Sequence, residues 1–455
     1  MNWRDILKQP EGKMLEFKET FPPSGESLMK TCVAFANGAG GEIYIGVSDR
    51  DREVAGLNAA QIFEMEERFA NWVHTMVEPQ LGYDFVVVNV DGRLIIRISI
   101  TAGSLKPYYL KNRGVEKGTY IRVGSTNRAV SGEGLAELHR QRRNICFDGE
   151  IVASLTLEQF NAALLGRYWD MRGIVHSKAT PERWIKLGAA RRTNGLVKPT
   201  VGGALFFCGE LPEELSQATV EVTRFQGTTM ESIADTKRFS PPIFDQIDEV
   251  MKFLHVYVEK AVVRAKVRHE SRYAYPMEAL REAVVNAVCH RDYAVSGANV
   301  RVAIFDDRIE ISNPGGLMGG LLVSDLGTGI SEMRNRLIGR MLRETGYIEQ
   351  LGTGVQRMRL ACERHGIPPP LFQELGLYFK VIFFRTFSSA GMDEGEWQVL
   401  SILEKNGSVS AGELSRLLGI HKNTATYRLN GMMARGKIVR SGKGPATRYR
   451  LKGIV

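Results

Sequence analysis

The stretch Ala279-Leu-Arg-Glu-Ala-Val-Val-Asn-Ala-Val-Cys-His-Arg-Asp-Tyr293 decides how the chain is read. It holds neither Pro nor Gly, and its apolar residues recur at three- and four-residue steps, which predicts a helix. At about 3.6 residues per turn, Leu280, Val284, Ala287 and Val288 share one side. Glu282, Asn286 and His290 form a second, polar line at i, i+4 and i+8. A carboxylate and an amide one turn apart on a mostly apolar helix suit one task. The amide oxygen can ligate a hard Mg²⁺ ion, which prefers oxygen. The carboxylate can orient or deprotonate an attacking water.

Two glycine-bearing stretches follow. Ile309-Glu-Ile-Ser-Asn313-Pro-Gly315-Gly316 ends a predicted strand, and Leu351-Gly352-Thr353-Gly354-Val-Gln-Arg-Met358 opens a predicted helix. A glycine loop opening a helix presents free N–H groups and a positive dipole end to phosphate. In this order, Glu282-x-x-x-Asn286-Ala287 and the two glycine stretches resemble the N box and glycine boxes of the gyrase, histidine-kinase and MutL ATPase superfamily. The run from Arg334 to Phe372 resembles a divergent branch found in bacterial proteins that also carry a Schlafen-type, AlbA-like domain.

The resemblance implies a Bergerat-type α/β sandwich over residues 271–388 that binds ATP with Mg²⁺. Asn286 would hold the metal and Glu282 would position the hydrolytic water, giving a weak ATPase. Gly315, Gly316, Gly352, Thr353 and Gly354 would border the phosphates. Gly327 and Gly329 lie where the related ATPases carry a mobile lid, and His290-Arg291-Asp292-Tyr293 would edge the pocket. The superfamily reads adenine with an aspartate; here the position is Asn313, followed by Pro314. Its carbonyl oxygen can still accept from the adenine amino group but supplies no charge. The bland alternative is a degenerate, structural ATPase domain. No G-x-x-x-x-G-K-[ST] occurs, so nothing supports a P-loop enzyme.

At 455 residues the chain has room for roughly three domains. No run of about 20 apolar residues suggests a membrane span, and Met1 to Lys8 lacks the apolar core of a signal peptide. Five scattered cysteines without a C-x-x-C pair point to reduced thiols in a cytoplasm and away from structural zinc. The formal charge is +9, from 60 basic and 51 acidic residues. From His421 to Val455 there are nine Lys/Arg and no acid, so the whole excess sits there. Such a block is an electrostatic footprint for a polyanion.

Residues 1–145 read as an α+β module. A strand is predicted over Glu11 to Lys18, helices over Ser27–Asn37 and Ile62–Val77, and a strand over Glu42–Val47 followed by a turn at Ser48 to Asp51. A hairpin is predicted around Asp91-Gly92. Glu11, Glu16-Phe-Lys18, Ala34-Phe-Ala-Asn37, Gly40-Gly41-x-Ile-x-Ile-Gly46-Val-x-Asp49 and Gly56 closely resemble the Schlafen-type AlbA-like domain, with Tyr120 to Arg128 as its closing strand. Some members are metal-dependent RNA nucleases using two glutamates and a later aspartate. The resemblance carries those roles to Glu11, Glu16 and Asp49, which could hold Mg²⁺ or Mn²⁺. Equally, Glu16 could close a salt bridge and Asp49 bond a turn. Lys106, Tyr108, Lys111, Arg113, Arg122 and Arg128 interleave cations with aromatics, a surface that can pair phosphates and stack bases of RNA or single-stranded DNA. Alternatively Tyr108 and Tyr109 pack on the sheet.

Residues 146–270 predict a connecting domain: helices at Leu157–Asp170 and Pro181–Ala190, strands at Gly202–Cys208 and Ala218–Phe225, and a long helix from Ile243 to Lys266. That helix is where a homo-oligomer contact is expected. Residues 395–455 predict three helices, at Glu396–Lys405, Ser410–Leu418 and His421–Arg435, then a basic hairpin. Ser410 is placed as an N-cap. The pattern resembles a winged helix-turn-helix. Lys422, Asn423, Thr424, Thr426, Tyr427 and Arg428 fall where base or phosphate contacts arise, with Lys443, Arg448 and Arg450 gripping duplex DNA from the wing. Two readings stay open: a nucleotide-responsive transcriptional regulator, and an ATP-regulated nuclease acting in phage defence.

Overall fold

The computed structural model describes the chain except residues 1–5, 8, 10, 49–52, 131, 177, 259, 265–268, 319–320, 349–351, 387–393, 443–446 and 452–455. Asp49, the turn around it and Lys443 lie outside the described residues. The chain divides into two compact units, Met1–Glu150 with Leu317–Leu321, and Ile151–Gly316 with Leu322–Val455.

The first unit is built on a four-stranded sheet in the order Leu15–Lys18, Gly40–Ile45, Arg93–Thr101, Tyr83–Val90. The first pair is parallel and the rest antiparallel. Helix Gly25–Asn37 buries Leu28, Met29, Cys32, Val33 and Phe35 in the core beside Ile43, Ile96 and Ile98. It stops at Gly38, whose N–H donates to the carbonyls of Ala34 and Phe35. Gly40 then has φ +87, and a Cβ there would stand 2.6 Å from the Ile100 carbonyl oxygen, so only glycine lets the strand begin this close to its neighbour. Asp91 (φ 50) and Gly92 (φ 87) make the two-residue turn their sequence predicts. The predicted closing strand Tyr120–Arg128 is instead a hairpin, Tyr120–Val123 with Thr126–Ala129, because Gly124 (φ 58) turns the chain.

The second unit centres on a six-stranded sheet. Its order is Ile233–Phe239, Val220–Phe225, Val300–Ile304, Arg308–Pro314, Tyr378–Phe384, Leu371–Leu375. The Val220–Phe225 and Val300–Ile304 strands are parallel, so the sheet draws strands from both sides of residue 270. Helix Met277–His290 lies against strand Arg308–Pro314 and against helices Gly354–His365 and Ile243–Tyr257. It buries Leu280, Val284, Val285, Ala287 and Val288. Three expectations change here. Gly202–Cys208 is not a strand: Val201–Phe207 is a fully buried helix, capped by Thr200, whose hydroxyl accepts from the Gly203 N–H at 3.1 Å. The long helix ends at Tyr257, and Lys260–Arg264 pairs with His269–Tyr273 as a hairpin. Leu157–Asp170 opens with a single 3₁₀ turn before helix Ala162–Met171.

Toward the C-terminus, helices Glu394–Asn406, Ala411–Leu418 and Lys422–Ala434 pack around Val399, Leu403, Leu414, Ala425, Leu429 and Met432. Ser410 and Glu413 form a reciprocal capping box, and Gly419 (φ 64) makes the tight turn. Strands Ser408–Val409, Arg448–Leu451 and Ile438–Ser441 form the wing sheet. None of the five cysteines is in a disulfide. Among the described residues, no helix is long and apolar enough to cross a membrane.

Candidate functional site

The helix Met277–His290 and the N-terminus of helix Gly354–His365 meet at Glu282. A Cβ on Gly354 would stand 2.0 Å from Glu282 Oε1 and 3.4 Å from Asn286 Nδ2. The absence of a side chain therefore lets the polar line of one helix touch the glycine turn of the other. Asn286 Nδ2 donates to Glu282 Oε1 at 3.1 Å. The other carboxylate oxygen is held at 2.6 Å by Arg357, in the first turn of the second helix. The expected base is thus already engaged by a cation, a partner the sequence reading missed although Arg357 lies inside the quoted glycine stretch.

The two glycine stretches take different neighbours. Gly352 has φ +85, and a Cβ there would stand 3.0 Å from the Gly329 carbonyl oxygen. Gly327 (φ +89) faces Val355 and Arg359. Residues 327–329 therefore lie against the second glycine stretch. Thr353 occupies the N-cap position, without a capping bond from its side chain. Gly315 (φ +114) is crowded by Asp292 and Arg334, and Gly316 by the Glu374 carboxylate, 2.5 Å from a would-be Cβ. Arg334 binds Asp292 at 3.1 Å and the Gly316 carbonyl at 2.8 Å, so it ties the first glycine turn to the loop after the central helix.

Of the residues expected to edge the pocket, the structure separates two. Arg291 is buried and donates to the carbonyls of Gln217, Val295 and Ala298. Tyr293 donates to the Val288 carbonyl at 3.0 Å. Both fasten the loop rather than a ligand. His290 stays beside Arg334; burial first, and that positive charge second, push its pKa down to about 4, leaving a neutral ring at neutral pH. Asn335 went unnoticed in the sequence: its Nδ2 donates to the Cys289 and Arg291 carbonyls at 2.9 and 2.7 Å, ending the central helix. A lone Asn without periodic context gave no signal.

One buried atom bears directly on a nucleotide. Asn313 is 4% exposed, and its Oδ1 accepts no hydrogen bond among the described residues. A buried acceptor left unpaired is costly, and a ligand amino group would satisfy it. Asn286 spends its Nδ2 on Glu282, and no hydrogen bond to its oxygen is found among the described residues. Glu282 would have to share or release Arg357 to orient water.

In the first unit the expected acids take structural partners. Glu11 Oε1 accepts from the Phe17 N–H at 2.8 Å. Glu16 pairs with Lys18 at 3.0 Å and, more closely, with Arg122. Among the described residues no cluster of His, Cys, Asp or Glu could hold a metal ion. Arg122 is interior, donating also to Gly12 O and Asn127 Oδ1. Tyr108 packs in the core, the alternative its sequence left open. Lys106 donates to Gly38 O and Gln141, Lys111 to His74 O, and Arg113 pairs with Glu26. Arg128 alone of the six is exposed without an ion pair among the described residues.

In the winged helix, Lys422, Asn423, Thr424 and Tyr427 are exposed, and Thr426 is half-buried with its hydroxyl on the Lys422 carbonyl. Arg428 turns inward instead: a Cβ on Gly395 would stand 2.5 Å from its guanidinium. Arg448 is tied to Glu413 at 3.0 Å and to Ser408, and Arg450 is half-buried with its Nε unpartnered.

Comparison with known families matches these parts in order. A Schlafen AlbA_2 model matches residues 11–131. A HATPase-type model, described for the C-terminal region of recG-like ATP-dependent DNA helicases, matches residues 297–383. A MarR family model matches residues 390–445. The chain is therefore similar, part by part, to a Schlafen/AlbA-like domain, an ATP-binding class of domain and a DNA-binding winged helix. The HATPase-type match begins after the helix bearing Glu282 and Asn286. No curated protein matches the chain. Among solved structures, the DIP2311 protein of Corynebacterium diphtheriae is 20% identical, with 97% of this chain and 92% of that one covered and a TM-score of 0.46. The N-terminal domain of a helicase RecG-related protein from Nitrosomonas europaea is 21% identical over 28% of this chain and 92% of its own, with a TM-score of 0.21.

Proposed function

We propose that this chain is a nucleotide-responsive DNA-binding protein, a transcriptional regulator in which Mg-ATP held by residues 271–388 alters nucleic-acid engagement by residues 1–145 and 395–455. It would act as a homo-oligomer, since paired half-sites favour paired readers. The observation that carries this reading is the buried, unpaired Oδ1 of Asn313 at the end of the first glycine strand. Asn313 would accept from the base and Asn286 would supply oxygen to the cation. The backbone N–H groups after Gly352 and Thr353 would receive phosphate. When bound, the nucleotide supplies the charge that the N-terminus of helix Gly354–His365 complements. Its arrival would compete with Glu282 for Arg357, giving the site two arrangements.

The test is calorimetric titration of Mg-ATP into wild type, Asn286→Ala and Asn313→Leu. Wild type is expected to bind, Asn286→Ala to lose magnesium-dependent binding, and Asn313→Leu to bind at least tenfold more weakly. Unchanged affinity in both variants would remove the site. A metal-dependent nuclease has no observation in its favour here, since Glu11 and Glu16 are spent on Phe17, Lys18 and Arg122.

A further inference from the structure

Taking the winged helix as a duplex reader, as above, we infer that its third helix selects A·T base pairs in the major groove through Asn423 and Asn430. Helix Lys422–Ala434 buries Ala425, Leu429 and Met432. At about 100° per residue, Asn423, Tyr427, Asn430 and Ala434 fall within an arc of about 60°, diametrically opposite that buried stripe. All four are exposed, Tyr427 at 80%. Neither asparagine side chain makes a hydrogen bond among the described residues, so both carboxamides are available in full.

The cations of this helix stand aside. Lys422 lies about 100° from Asn423, at the first residue, and Arg428 about 140° round. Arg428 is committed inward, against Gly395. The strip that would enter the groove thus offers two carboxamides, a phenol ring and a methyl group, and no positive charge. Guanine presents two acceptors, O6 and N7, which Arg or Lys satisfies best. Adenine presents an acceptor and a donor, N7 and N6–H, which one carboxamide matches with both of its ends. The Tyr427 ring and the Ala434 methyl suit the apolar thymine methyl. Around the strip, exposed Arg416, Lys422 and Arg440 can contact phosphates, which fix position without reading sequence. A net positive C-terminal block supplies the complementary charge.

The experiment uses the full chain. It is selected against random duplexes, and affinities for the enriched site and its single-pair changes are then measured by fluorescence anisotropy at fixed salt. Adenine is expected at two or more positions. Exchange of A·T for G·C, or of adenine for 7-deaza-adenine, is expected to weaken binding about tenfold there. Asn423→Ala and Asn430→Ala, both surface changes, are expected to bring that ratio near one. Enrichment of G·C, or a ratio that neither variant moves, would overturn the assignment of base readout and leave duplex binding standing. Failure to bind any duplex would overturn the duplex reading itself, and the inference with it.

Discussion

At the scale of single residues, His290 shows how the central helix ends in a charged neighbourhood without carrying charge itself. Its ring lies against protein on most sides, with Arg334 near, and its pKa falls to about 4 from the ordinary 6.5. In the unfolded chain the ring regains the ordinary value. As pH falls through about 6.5, the unfolded state takes up a proton that the folded state refuses, so unfolding gains. The stabilisation is therefore complete above about 6.5 and is lost progressively down to about 4. His290→Gln, which keeps a polar group but cannot titrate, is expected to flatten that slope. Urea unfolding of both proteins at pH 7 and pH 5 measures it, and equal losses in the two would assign the slope to other groups. Asn313 and Glu282 belong to the same scale. One is a buried acceptor without a hydrogen bond among the described residues; the other is a carboxylate already taken by Arg357.

Elements were legible where local chemistry decides them. Ser410 with Glu413, Asp91 with Gly92, and the polar line on Met277–His290 each carry their signal within a few residues. What escaped needed partners from afar. Arg334, Asn335 and Arg357 acquire their roles only when other elements arrive, and no spacing announces them. The Val201–Phe207 run failed for another reason: buried on all sides, it has no polar face, and periodicity cannot then separate helix from strand. Gly203 explains the choice of residues there. A Cβ would stand 2.0 Å from the Ala189 carbonyl oxygen and 2.6 Å from its carbon, both backbone atoms. Gly203→Ala must move a chain segment rather than a side chain. It is expected to destabilise the protein by about 2–3 kcal/mol, read as a lowered urea midpoint. A change within about 0.5 kcal/mol, the range of ordinary surface substitutions, would mean the helix approaches that carbonyl less closely than described.

Across the whole molecule, charge decides where a polyanion binds, and the folded arrangement trims what the sequence advertises. Of the nine cations between His421 and Val455, Arg435 and Lys437 pair with Glu396, and Arg448 pairs with Glu413. Arg428 turns inward against Gly395, so among the described residues Lys422, Arg440 and Arg450 remain, with exposed Arg416 on the preceding helix. At about 0.9 released counterions per phosphate contact, these four cations give a log–log salt slope of about −4 per chain, whereas nine would give about −8. Deleting residues 391–455 removes all of them, so duplex affinity is expected to fall and the slope to approach zero. Anisotropy titrations between 50 and 200 mM salt measure both. A slope that survives the deletion would place the phosphate contacts elsewhere in the chain, with the first unit the next to test. There Lys111 and Arg113 are drawn to Glu78 and Glu26, and Arg122 is buried on Glu16, which leaves exposed Arg128 as the first residue to substitute.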